Sequence, residues 1–106
     1  MRLSDILQKL ISYKSVTPQD AGCQQYMLEI LNTLGFKTET FPKGAVDNFY
    51  AEYGDSGPLL MFAGHTDVVT PGDESLWLSD PFTLSVRDGY YFGRGVADMK
   101  GSLAVC

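Results

Sequence analysis

With 106 residues, 44% of them hydrophobic and 12% aromatic, the chain has the make-up of one folded domain rather than of a disordered segment. Thirteen acidic side chains against eight basic ones leave a net charge of −5, which repels a phosphate backbone and excludes nucleic acid as an expected partner. The longest apolar run, Leu59 to Gly64, falls far short of the about 20 residues that a membrane-crossing helix needs, so no membrane partner is expected.

Met1-Arg2-Leu3-Ser4-Asp5 leads straight into an amphipathic pattern, with neither a signal-peptide core nor a small-residue cleavage site, and predicts a cytoplasmic chain. Cys23 and Cys106, far apart and in no paired motif, fit the same reducing compartment as ordinary thiols. Leu3, Ile6, Leu7, Leu10 and Ile11 recur at helical spacing around Ser4, a capping residue type, and predict a helix over 4–13 with one buried stripe. Thr17 as cap, Pro18 at the first helical position, and Tyr26, Met27, Ile30, Leu31 and Leu34 as an apolar face ended by Gly35 predict a second helix over 18–34.

The period then changes to alternation, and Phe36 to Phe41 and Asn48 to Tyr53 read as strands. After the turn cluster Gly54-Asp55-Ser56-Gly57-Pro58, the run Leu59 to Ala63 is apolar on both faces, as a central strand covered on both sides would be. Residues 70–82 read as a long surface loop pinned by the single Trp77. Phe82 to Arg87 and Tyr90 to Phe92 flank Asp88-Gly89, a two-residue hairpin connection. Gly101 to Cys106 looks like a helix just beginning, so the chain is expected to stop in mid-element. The fold class predicted is α/β, with helices packed on a mixed twisted sheet.

His65, the only histidine, follows the apolar run, and on an extended backbone it projects to the same side as Asp67. A carboxylate that holds one imidazole nitrogen fixes the tautomer and strengthens the other as a metal ligand. The pair alone reads equally as a hydrogen-bonded structural histidine. Asp98, in Gly93-Arg94-Gly95-Val96-Ala97-Asp98-Met99-Lys100-Gly101, is either a helix cap behind flexible glycines or a carboxylate able to bridge two cations roughly 3.5 to 4 Å apart.

Gly64-His65-Thr66-Asp67-Val68-Val69, Pro71-Gly72-Asp73, Trp77, Asp80-Pro81-Phe82, Arg87-Asp88-Gly89 and Gly93 to Gly101, in that order, resemble one family. It is the aminoacylase, acetylornithine deacetylase and desuccinylase group of two-zinc hydrolases, and the resemblance runs from Thr17 to the last residue. Asp20-Ala21-Gly22-Cys23-Gln24 and Phe92-Gly93-Arg94-Gly95 look most like its desuccinylase branch. Thr70 departs from the family's proline, beyond the ligand positions.

The resemblance implies a zinc-exopeptidase-like catalytic domain, of which residues 1–106 form the amino-terminal part. It implies His65 as ligand to one zinc, Asp98 as the bridge between two, Asp67 as the residue that orients His65, and a cis peptide at Asp98-Met99. Lys100 and Arg94, inside the motif, are expected to make solvated or structural contacts. The implied cofactors are two zinc ions, with cobalt as a substitute, and the implied substrate is a small N-acyl diamino acid, N-succinyl-L,L-diaminopimelate, cleaved by a full-length homodimer. In the family the general base, a Glu-Glu pair, and a second histidine come from later sequence; the 106 residues contain neither. The chain alone is therefore expected to be inactive. Two alternatives stand beside this reading: a deacylase of acetylornithine or another N-acyl amino acid, and a non-enzymatic module.

Overall fold

Burial of Leu7, Leu10 and Ile11 along one face sets the first helix, α1 (Leu3–Ser12), in the computed structural model, which describes all of residues 1–106. Its cap is Arg2 and not the expected Ser4, which lies inside the first turn. The Asp5 carboxylate accepts from the Arg2 backbone N–H at 3.2 Å and from its guanidinium, and also places negative charge at the helix start.

The second helix, α2 (Cys23–Thr33), begins at Cys23 rather than at residue 18. Ala21 (φ 57°) and Gly22 (φ 93°) are left-handed, a conformation that a right-handed helix cannot continue through. Asp20, not Thr17, satisfies the free first-turn amides: its carboxylate accepts from the N–H groups of Gly22 and Gln24 at 3.1 to 3.2 Å. Pro18 sits before the helix, behind a cis peptide with Thr17. Cys23 and Leu28 are its most buried residues, whereas Leu34 is exposed. The expected ending is found: Gly35 is left-handed, its N–H reaches Asn32 O, and the Phe36 N–H reaches Leu31 O, which satisfies two of the last carbonyls.

Strands β1 (Lys37–Thr40) and β2 (Phe49–Glu52) pair antiparallel, Lys37 opposite Glu52, and α2 packs against β1. Strands β3 (Ser85–Arg87) and β4 (Tyr90–Phe92) form the expected hairpin, with positive φ at both Asp88 and Gly89, as its tight turn demands. The sheet is therefore two antiparallel pairs rather than one mixed sheet; a parallel relation appears only as a bridge between Val16 and Val68.

Leu59 to Ala63 is not a central strand. It makes no ladder, and Leu59, Leu60, Met61 and Phe62 are all exposed. Alternation and hydrophobicity express what a segment needs on its two faces, but a strand also needs hydrogen-bonded neighbours, and neither strand pair bonds to this segment. The loop over 70–82 is as expected, with a short helical turn at Glu74–Leu76 and Trp77 Nε1–H donating to Pro71 O at 3.0 Å. A last helix, α3 (Gly101–Val105), follows a distorted helical turn at 96–100, and α1 packs against both. The α/β class holds. No helix is long and apolar enough to cross a membrane.

Candidate metal centre

The backbone of residues 15–17 lies alongside Val68: the Val68 N–H donates to Ser15 O at 2.9 Å, and the Thr17 N–H donates to Val68 O at 3.1 Å. The buried Ser15 adds Oγ–H to Thr66 O at 2.8 Å. With the segment anchored at Thr66 and Val68, His65 and Asp67 project to the same side, as their spacing predicts. His65 Nδ1 lies 3.2 Å from Asp67 Oδ1 and 3.1 Å from Asp67 O.

The second wall of the site is the 93–100 segment. Gly95 has φ 92°, and a Cβ there would meet Val68 Cγ1 at 2.5 Å, so glycine alone lets this turn lie on Val68. At Asp98 (φ −136°, ψ 90°) the backbone leaves helical geometry, and the Asp98-Met99 peptide is cis, as the resemblance implied. Met99 folds over Gly64, where a Cβ would meet its Sδ at 3.1 Å, and Sδ accepts from the His65 N–H at 3.3 Å. Asp98 is thereby presented to the histidine: Asp98 Oδ1 lies 2.9 Å from His65 Nε2. Asp98 does not cap α3, whose N-cap is Lys100. A cleft of about 250 Å3 opens here, lined by Thr17, His65, Asp67, Arg94 and Asp98 among others.

Acceptors therefore stand at both ring nitrogens, and both can donate only when the ring is protonated. Partial burial pulls the His65 pKa down, but the Asp67 carbonyl, the Asp98 hydrogen bond and the two negative charges outweigh it, and the pKa rises above its ordinary value. Asp67 is held below the usual carboxylate range, first by the Thr17 hydroxyl, which donates to Asp67 Oδ2, and against partial burial by its own backbone amide and His65.

Zinc takes thiolate, imidazole and carboxylate donors, about four of them in a stable site. His65 Nε2 and Asp98 Oδ1 converge at hydrogen-bond distance, the second imidazole nitrogen is held by the Asp67 carbonyl with the Asp67 carboxylate 3.2 Å away, and Asp98 is 85% exposed with its other oxygen free for a further contact. This donor set fits zinc as far as two ligands go. No set of three or more His, Cys, Asp or Glu side chains gathers closely enough to hold an ion by itself.

Beside these three, Thr17 escaped the sequence reading, and of the two fates expected for Lys100 the structure shows the structural one. Thr17 reads as a helix cap by type and position, and nothing in its neighbourhood signals Asp67, 50 residues away. Lys100, expected to be solvated or structural, is fully buried; its only signal is its place in the Asp98 motif. Arg94 lies over Trp77, 5.1 Å from the ring centre, with its Nε buried and unpaired.

Residues 61–106 match the model of Peptidase family M20/M25/M40. The chain is 56% identical over 102 residues to the succinyl-diaminopimelate desuccinylase of Legionella pneumophila (strain Lens), covering 96% of this chain and 27% of that protein. It is 54% identical over 103 residues to that of Methylobacillus flagellatus, covering 97% and 28%. With that of Coxiella burnetii (strain Dugway 5J108-111) it shares 51% over 100 residues, covering 94% and 27%. Among solved structures, human carnosine dipeptidase 1 superposes with a TM-score of 0.73 at 26% identity, over 96% of this chain and 26% of that one. The chain thus spans about a quarter of the length of the relatives it matches.

Proposed function

We propose that the chain belongs to Peptidase family M20/M25/M40, whose model matches residues 61–106, and that it is the amino-terminal, metal-binding part of an enzyme hydrolysing N-succinyl-L,L-diaminopimelate to succinate and L,L-diaminopimelate. The observation that carries this reading is the convergence of His65 Nε2 and Asp98 Oδ1, 2.9 Å apart, in one cleft. The relatives at 51 to 56% identity, all desuccinylases by name, support the choice of substrate. The proposal extends to a cytoplasmic homodimer, as the family resemblance implies.

In this reading His65 would hold one zinc through Nε2, and Asp98 would be the carboxylate shared with a second. When bound, zinc supplies Lewis acidity toward the amide carbonyl and toward water. Asp67 accepts the Nδ1–H of His65, which keeps the Nε2 lone pair directed into the cleft. Thr17 fixes Asp67 by donating to Oδ2, leaving Oδ1 for the ring. The general base and the remaining ligands are not supplied by these residues, since the chain has one histidine and no Glu-Glu pair.

A chimera tests the proposal. The matched part of the Legionella pneumophila desuccinylase is replaced by this chain, and the purified protein is assayed against N-succinyl-L,L-diaminopimelate and N-acetylornithine. Zinc-dependent release of succinate by the chimera, with none by the 106 residues alone, is the expected result. A folded, zinc-loaded chimera that leaves the succinyl compound intact contradicts it, and turnover of acetylornithine alone would favour the deacylase alternative.

A further inference from the structure

We infer that Lys100 is the positioning residue of the Asp98 carboxylate, a role that rests on the metal-binding reading above: it clamps the 96–100 turn to the end of α1 and so fixes where Asp98 stands. The Lys100 ammonium is fully buried and donates to Leu10 O at 2.7 Å and to Tyr13 O at 3.0 Å. Leu10 belongs to the last turn of α1 and Tyr13 is its C-cap, so the acceptors are carbonyls at the negative end of a helix. No carboxylate pairs with Lys100; the ion pairs of the chain are Arg2–Asp5, His65–Asp67 and His65–Asp98.

An unpaired ammonium is costly to bury, and an apolar side chain of the same length would fill the space without that cost. What the ammonium adds is direction. Three consecutive residues fasten the turn at three places: Asp98 faces His65, Met99 lies over Gly64 and accepts from the His65 N–H, and Lys100 reaches back to α1. The Lys100 stem also passes Gly95, whose added Cβ would lie 3.5 Å from Lys100 Cδ, and the Lys100 N–H donates to Gly95 O at 2.8 Å. The turn is thus held between Val68, which carries the His65 segment, and α1. Without the ammonium, the α1 attachment loses both of its hydrogen bonds and Asp98 loses its fixed distance from the imidazole.

The test is a double-mutant cycle on zinc affinity, measured on the whole 106-residue chain by competition with a colorimetric chelator, with circular dichroism to verify folding. Lys100→Met is expected to weaken binding roughly ten- to hundredfold, as loss of a supporting residue does, and to change nothing further in an Asp98→Asn background, because it acts through Asp98. Folded Lys100→Met with wild-type affinity, or losses that add in full to those of Asp98→Asn, would overturn the inference. If Lys100→Met does not fold, Lys100→Gln, which keeps an uncharged amide donor on a shorter side chain, takes its place; failure of both to fold also overturns it, in favour of a plain folding role. The outcome that sinks the metal reading itself is different: zinc affinity unchanged in both Asp98→Asn and His65→Ala.

Discussion

His65 and Asp98, 33 residues apart in sequence, meet through Nε2 and Oδ1 at 2.9 Å, although neither lies in a regular strand or an undistorted helix. The contact depends on two flanking supports: the Val68 segment fixed by residues 15–17, and the 93–100 turn laid on Val68 through Gly95. Replacing either residue tests what the pair does. His65→Ala and Asp98→Asn are each expected to weaken zinc binding by more than the roughly 10- to 100-fold that loss of a supporting residue costs. Equilibrium competition with a chelator measures it, and unchanged affinity in both variants would count against the ligand assignment.

Thr17 reaches the site through Asp67. Thr17→Val keeps the shape and removes the donor, so Asp67 is free to turn away from the imidazole. Zinc affinity should fall about tenfold, while Thr17→Ser should stay near wild type. Equal affinity in Thr17→Val and wild type would show that Asp67 needs no help.

Gly95 and Gly72 separate backbone strain from crowding. Both have positive φ, but a Cβ at Gly95 meets Val68 at 2.5 Å and one at Gly72 meets nothing within 4 Å. Gly72→Ala should cost about 1 kcal/mol for the left-handed backbone alone. Gly95→Ala should cost a further 1–3 kcal/mol or so for overpacking, read from denaturant midpoints. Equal losses in the two variants would mean that the turn does not rest on Val68 as described.

The two thiols differ in access. Cys106 is exposed and Cys23 fully buried, and burial raises the Cys23 pKa against the opposing pull of the Lys100 charge. A thiol reagent should titrate one cysteine in the native chain and the second only on unfolding. A folded pKa above the unfolded value means that between the two the folded state binds more protons. Cys23 therefore contributes stability that is present below the ordinary thiol pKa of 9.0 and is lost as pH rises through the folded value. In Cys23→Ala the alkaline decline in melting temperature should be shallower; a steeper one contradicts the sign.

Local chemistry made the hairpin at Asp88-Gly89, the Gly35 helix end and the His65/Asp67 pair legible, because turn type, left-handed caps and period-two projection depend on adjacent residues only. The start of α2 was not legible: Thr17 and Asp20 are both capping residue types, each suited to a different helix start, and the left-handed Ala21 has no signature in residue type. The placing of Leu59 to Ala63 failed for the opposite reason, since a strand depends on partners as well as on its own pattern. For Lys100 the sequence left solvent and structural contact both open, because a lysine's default is solvent and only the three-dimensional meeting of its turn with α1 decides for the second.

The most direct test of one imidazole and one carboxylate acting on the same ion is a zinc titration of the chain followed by NMR, with the His65 ring and the Asp98 side-chain carboxyl observed together. Both signals are expected to shift along a single binding curve, and the His65 response should weaken in Asp98→Asn. A His65 shift that leaves Asp98 unmoved, or two curves with separate midpoints, would contradict the shared site.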